Sequence, residues 1–104
     1  MMTSTSRFSV ADRVQSMSSR PAGQEALVAV AQLLSESDSV EIDFGGVSLT
    51  PSFADEFVGG IAASLGPKEF QARVRLRNIP DASIPLVRHV LARGFIRGKR
   101  TSSE

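Results

Sequence analysis

The most specific residue pattern in the sequence is Val40–Gly60, VEIDFGGVSLTPSFADEFVGG. Apolar and acidic residues alternate over its first five positions, which is the period of a strand with two different faces, and Gly45–Gly46 ends that strand. Apolar residues then recur every four positions at Phe53, Phe57 and Ile61, which predicts a helix with one wide apolar stripe. We therefore expect this helix to pack on a sheet that contains the preceding strand.

The start of the predicted helix carries a group of polar residues. Thr50 can cap the helix, Pro51 suits its first position because its φ is fixed, and Ser52 then lies in the first turn beside free backbone amides. Asp55 and Glu56 follow on the side away from the apolar stripe. Negative charge here complements the helix macrodipole, and Asp55 can close a capping box with Ser52. Residue chemistry alone thus favours a structural role for the acids.

Before this stretch, the sequence predicts at least two further elements. Phe8 and Val10 alternate with small residues, which predicts a first strand. The serine-rich stretch Arg13–Ser19 fits either a second short strand or a loop. Apolar residues at spacings of three and four predict a helix over Pro21–Ser35.

After this stretch, Gly66–Pro67 is expected to end the helix, because glycine tolerates a left-handed cap and proline cannot continue. Arg73–Asn78 alternates arginine with apolar residues, which predicts a strand with one buried face and one basic face. Asp81 or Ser83 can cap a last helix, which we expect to end near Phe95.

This alternation of strands and helices predicts an α/β fold, a mixed sheet of about four strands with helices packed mainly on one face. The length of 104 residues suits one domain. We expect a disordered start at residues 1–6, a single domain at residues 7–96 and a disordered basic tail at residues 97–104.

Composition excludes several kinds of site. The chain has no cysteine and one histidine, so thiol nucleophiles, disulfides and histidine-based metal clusters within one chain are excluded. The net charge of +1 favours no charged partner. The first residues lack the apolar segment of a signal peptide, and the longest apolar run, Ala26–Leu34, is too short to span a bilayer. We expect a cytoplasmic protein that does not contact membranes.

Catalysis is not expected either. The sequence offers no nucleophile with a base, no metal-binding set and no glycine loop with the spacing of a phosphate site, so we predict no catalytic residue and no cofactor. Gly59–Gly60 favours close helix packing instead. Asp43 is interpreted either as a buried acceptor that fixes the following turn or as a surface residue, and His89 as a solvated residue.

The runs Ile42–Val47 and Thr50–Glu56 together resemble a STAS-like domain family of unknown function, whose members carry "DF-gV" followed by "S-FADE". The resemblance covers roughly residues 8–96 and continues through Phe70, the strand Val74–Asn78 and the last helix. It implies a STAS-like fold and kinship with the anti-sigma-factor antagonists.

The resemblance also implies a site. In the antagonists, a partner kinase with a histidine-kinase-type ATPase fold phosphorylates a serine at this helix start, and the phosphorylation switches binding off. Ser52 matches that serine. The sequence departs from the antagonists on both sides of it, with Pro51 in place of an aspartate and Phe53–Ala54 in place of Ser-Gly. The implied partner is such an ATPase or an anti-sigma-like protein. The implied partner-binding residues are Ser48, Thr50, Pro51, Ser52, Phe53, Asp55 and Glu56.

Nucleic-acid binding is the alternative hypothesis. No acidic residue lies between Ala82 and Ser103, and arginines line one face of the predicted strand Arg73–Asn78. These charges can meet phosphates, or they form a solvated face and tail. The basic residues concerned are Arg73, Arg75, Arg77, Arg93, Arg97, Lys99 and Arg100.

Overall fold

The computed structural model describes the backbone of residues 4–14 and 19–102 and the side chains of residues 4–14 and 19–98. Strands and helices alternate along the described residues. In chain order the elements are β1 (Thr5–Ser9), α1 (Val10–Arg13), α2 (Arg20–Glu36), β2 (Ser39–Asp43), α3 (Pro51–Arg73), β3 (Val74–Arg77), a 3-10 turn (Asp81–Ser83) and α4 (Ile84–Ser102).

The strands form a sheet in the order β1-β2-β3, and both neighbouring pairs are parallel. Thr5 pairs with Ser39, and Val40 pairs with Val74. The helices α2 and α3 are the connections that parallel pairing requires. In the helix layer, α3 lies between α2 and α4 and packs against both.

The α/β architecture with helices on the apolar face of the sheet is as expected, but the sheet differs. A mixed sheet of about four strands was expected, whereas the described residues form three strands, all parallel. The predicted second strand Arg13–Ser19 begins in α1 at Arg13, and its residues 15–18 lie outside the described part of the chain. Among the described residues, no antiparallel pair forms.

The core is built around Phe57 of α3. Its ring centroid lies 6.0 Å from that of Phe8 on β1, 6.3 Å from that of Phe44 after β2, and 5.5 Å from that of Phe53 one turn earlier. All four rings are buried. The four-residue spacing in the sequence therefore does form the stripe that joins α3 to the sheet.

The first helical segment of α3 ends at Gly66, as was expected, but the chain returns to a helix directly after it. Gly66 has a φ of 81° and breaks the helical geometry, but Pro67 then occupies the first position of a further helical segment that runs to Arg73. Proline is favoured at such a position because its missing N–H has no helical partner. The result is a kink, and the second segment brings Phe70 to within 5.6 Å of the Phe95 ring of α4.

The two ends also differ from expectation. Residues 1–3 of the start predicted as disordered lie outside the described residues, but Thr5 and Ser6 belong to β1. The last helix was expected to end near Phe95, whereas α4 continues to Ser102, into the tail predicted as disordered. The side chains of Lys99 and Arg100 are not among those described.

Glycines let the helices approach closely, as Gly59–Gly60 predicted. A Cβ added at Gly60 would lie 2.7 Å from the Leu27 side chain of α2. A Cβ added at Gly94 of α4 would overlap the carbonyl oxygen of Gly59 and lie 2.8 Å from the Cβ of Ala62. The helix layer is therefore packed at backbone distance on both sides of α3.

The second face of the sheet is polar and open. The Glu41 carboxylate on β2 lies 3.7 Å from Arg7 Nε on β1 and 3.0 Å from Arg77 Nε on β3. Parallel sheets are normally covered on both faces. Here paired charges with exposed arginine heads occupy the uncovered side. Within the described residues, no helix is long and apolar enough to span a bilayer.

Candidate functional site

The candidate site lies where the parallel strands reach their carboxyl ends. Strand β2 ends at Asp43 and β3 at Arg77, and the chain from β2 passes through a turn at Gly45–Gly46 into α3. In open α/β sheets, binding sites form at this edge, because the loops that follow the strands meet there.

Asp43 fixes the geometry of the turn. Its Oδ1 accepts hydrogen bonds from the backbone N–H of Gly45 (2.8 Å) and from Asn78 Nδ2 (2.9 Å), and its Oδ2 accepts one from Arg7. The Asn78 bond, then the Arg7 and Gly45 bonds, lower the pKa of Asp43 to about 2. The side chain is buried. Of the two interpretations of Asp43, the buried acceptor is the one confirmed.

The turn is also held by the chain that follows β3. The N–H of Phe44 donates to the carbonyl of Arg77 (2.9 Å), and the N–H of Gly46 donates to the carbonyl of Asn78 (2.8 Å). Gly45, Gly46 and Asn78 all have positive φ, a region that suits glycine and that asparagine tolerates. The loop between β2 and α3 is therefore fixed to β3 by backbone hydrogen bonds.

The start of α3 is capped as predicted. Thr50 Oγ1 accepts from the N–H of Phe53 (3.2 Å), and Pro51 occupies the first turn. Ser48 and Pro51 are exposed, whereas Thr50 and Ser52 are half-buried. We call Ser48, Thr50, Pro51 and Ser52 the loop–helix surface.

The other three predicted partner-binding residues point elsewhere. Phe53 is fully buried in the core, so its side chain is not available to a partner in this conformation. Asp55 Oδ2 and Glu56 Oε1 lie 3.0 Å and 3.3 Å from Nη1 of Arg20, the first residue of α2. Both acids therefore join α3 to α2 instead of facing solvent alone, and the hydrogen bonds described for Asp55 go to Arg20 and not to a capping box.

Sequence reasoning missed Arg20 and Asn78. Arg20 lies 35 residues from Asp55, and nothing local in the sequence links them. Asn78 offered a signal, since an asparagine directly after a strand is one of the few residues suited to a left-handed turn.

Of the basic residues whose side chains the structure describes, Arg73, Arg75 and Arg77 already have hydrogen-bond partners within the chain. Arg73 is the last residue of α3 and donates hydrogen bonds to the carbonyls of Leu34, Ser37 and Asp38 at the end of α2. Arg75 donates to backbone carbonyls, and Arg77 pairs with Glu41. Arg93 is exposed on α4. The nucleic-acid hypothesis stays a prediction that these contacts do not favour.

Comparison with known proteins gives one family. The family model described as "STAS-like domain of unknown function (DUF4325)" matches residues 28–83, which include β2, α3 and β3. Neither the curated proteins nor the solved structures yield a match. The matched segment contains the turn held by Asp43 and the whole loop–helix surface.

Proposed function

The chain belongs to the family of STAS-like domains of unknown function, and from this premise we propose that it is a regulatory module that binds a protein partner, as anti-sigma-factor antagonists do. In this proposal the chain itself performs no catalytic step and carries no cofactor. The partner is a histidine-kinase-like ATPase or an anti-sigma-like protein.

The observation that supports this proposal is that hydrogen bonds fix the turn before the loop–helix surface and the first turn of α3. Asp43 and the backbone hydrogen bonds to the end of β3 fix the turn that precedes the loop. The side chain of Thr50 caps the first turn of α3. A surface fixed in this way loses little conformational entropy when a partner binds. Its exposed members, Ser48 and Pro51, carry no charge, so complementarity of shape is the main determinant of binding.

Phosphorylation of Ser52 is the proposed switch. The Ser52 hydroxyl attacks the γ-phosphorus of ATP held by the partner, the bond to the bridging oxygen breaks, ADP leaves, and the hydroxyl proton passes to a base on the partner or to water. The product adds a charge of about −1.5 to −2 at the centre of the loop–helix surface. Binding is then lost because the interface would have to desolvate that charge and because acidic groups of the partner would repel it.

The test is a binding measurement on a matched pair of variants. Candidate histidine-kinase-like ATPases from the same genome are purified and titrated calorimetrically against the wild-type chain, Ser48→Arg and Ser64→Arg. Both serines are exposed, but Ser64 lies toward the far end of α3. An arginine within a contact surface should weaken binding by a factor of about 10 or more, equivalent to about 1.4 kcal/mol.

The expected result is a strong loss for Ser48→Arg and none for Ser64→Arg. Mass spectrometry of the chain after incubation with ATP and the bound partner should add one phosphate, which Ser52→Ala removes. Equal weakening by the two arginine variants would contradict the proposed surface. Binding to none of the ATPases and to no anti-sigma-like protein would contradict the proposed partner class.

A further inference from the structure

Charged side chains from three helices meet one turn after Ser52. Arg20 Nη1 of α2 lies 3.0 Å from Asp55 Oδ2 and 3.3 Å from Glu56 Oε1, both on α3. Arg97 Nη1 of α4 lies 3.8 Å from the same oxygen of Asp55. We call Arg20, Asp55, Glu56 and Arg97 the arginine–acid cluster. Partner binding through the loop–helix surface does not account for the two arginines.

Asp55 depends on this cluster for its hydrogen bonds. Its Oδ1 is buried and has no hydrogen-bond partner among the described residues. Both arginines lie against the other oxygen, Oδ2. By contrast, the Arg20 side chain is 56% exposed. Arg20 is therefore the partner with more room to change position, because its side chain is long and more than half exposed, whereas only 14% of the Asp55 side chain is exposed.

Ser52 lies beside this cluster by helical geometry. It precedes Asp55 by three residues and Glu56 by four, and side chains at these spacings are neighbours on a helix, with Cβ atoms about 5–6 Å apart. A phosphate on Ser52 would therefore be next to both carboxylates and within reach of the guanidinium that already bonds them.

This inference rests on the proposed function, because it concerns the phosphorylated form of Ser52. We propose that Arg20 binds the phosphate and leaves Asp55 and Glu56, so that phosphorylation moves the ionic contact between α2 and α3 toward the first turn of α3. A phosphate accepts two parallel hydrogen bonds from a guanidinium and has a larger charge than either carboxylate. When the phosphate competes with Asp55 and Glu56 for Arg20, the phosphate is the preferred partner.

The consequence is a signal that extends beyond the modified serine. Gly23 packs so closely on α3 that an added Cβ would lie 2.9 Å from Glu56 Cβ, and Arg20 is one turn before it. Release of Arg20 leaves the two carboxylates next to the phosphate, and Asp55 keeps only its longer contact with Arg97. The first turn of α2 then contacts α3 through the phosphate of Ser52 and no longer through the two carboxylates.

The first experiment is a ³¹P NMR titration of the full chain with phosphoserine incorporated at position 52. A free phosphoserine has a second pKa of about 6. Arg20 should lower this pKa by about half a unit, as one partly exposed ion pair allows. Arg20→Ala should raise it above 6, because the two neighbouring carboxylates then disfavour the doubly charged phosphate without Arg20 to offset them, and Arg20→Lys should give an intermediate value.

The matched control is Arg88→Ala, which removes the same charge from the exposed side of α4. It should leave the phosphate pKa unchanged. The proposal is overturned if the wild-type phosphate titrates at or above pH 6, or if the Arg20 and Arg88 variants change its pKa equally. Circular dichroism verifies that each variant is folded.

The second experiment is hydrogen exchange of the amides in the first turn of α2. Phosphorylation should slow their exchange several-fold, because the phosphate is the stronger partner of Arg20, and Arg20→Ala should abolish this slowing. Unchanged exchange on phosphorylation would overturn the proposal. Neither experiment contains a partner protein, so a failure of partner binding and a failure of the Arg20 mechanism are observed separately.

Discussion

Gly94 of α4 offers the sharpest test of the helix packing. In Gly94→Ala the new Cβ overlaps the carbonyl oxygen of Gly59 and lies 2.8 Å from the Cβ of Ala62. These atoms belong to the backbone and to the shortest side chain of α3, so no rotamer change can relieve the contact. The two helices must move apart.

Two opposing terms set the size of the effect. Replacing glycine by alanine inside a helix stabilises it by up to about 1 kcal/mol. Overpacking a close contact costs about 1–3 kcal/mol. Because the contact is with the backbone, we use the upper part of that range and expect Gly94→Ala to lower the free energy of unfolding by about 1–2 kcal/mol. The melting temperature should fall by about 5–15 °C for a chain of this size.

Gly59→Ala is the matched control on the other side of the same contact. Its added Cβ would lie 3.4 Å from the Val90 carbonyl oxygen and 3.4 Å from the movable end of Arg97, which are ordinary contacts. This variant should be neutral or up to about 1 kcal/mol more stable. Urea unfolding followed by circular dichroism measures both. If Gly94→Ala were as stable as Gly59→Ala, the inferred backbone contact between α3 and α4 would be wrong.

Two further substitutions test the contacts that hold the sheet end and the end of α2. Arg73→Lys should lower the free energy of unfolding by about 1–3 kcal/mol, because an ammonium cannot replace the guanidinium that donates to three carbonyls. The control Arg75→Lys, on the exposed face of the sheet, should change it by less than about 0.5 kcal/mol in urea unfolding. Equal losses in the two variants would contradict the role of Arg73 in binding the carbonyls at the end of α2. The pKa of Asp43 is lowered to about 2, so its contribution to stability is complete above the ordinary value of about 4 and is lost as the pH falls from about 4 to about 2. Acid unfolding should therefore show the stability difference between wild type and Asp43→Asn shrinking over that range, and a difference constant from pH 7 to pH 2 would contradict this.

The sequence predicted the elements whose signals are local. The strand before Gly45, the Thr50 cap and the stripe through Phe57 depend on neighbouring residues and on short periods, and all three are present in the structure. The family resemblance found through the same stretch is likewise confirmed by the family model.

The errors concern residues whose role depends on distant partners or on the helical continuation of the chain. Asp55 and Glu56 were expected to face away from the core because no neighbouring residue indicates their contact with Arg20, which is far away in the sequence. Arg73 fitted the alternation of the strand that follows, but helix α3 continues across the kink and includes it. Gly66 does end the first helical segment, as expected, but proline is equally suited to restart a helix, and the prediction did not include the segment that begins at Pro67.

The parallel order of the strands has a consequence for how the chain folds. Each sheet pairing joins residues 34 positions apart, as in Thr5 with Ser39 and Val40 with Val74. Within the described residues, the sheet has no hairpin that could form early from neighbouring segments. Every pairing must first close a loop that contains a whole helix, which raises the contact order and slows folding relative to helical bundles of this size. We therefore expect the folding rate to depend on how early α3 brings the two pairings together.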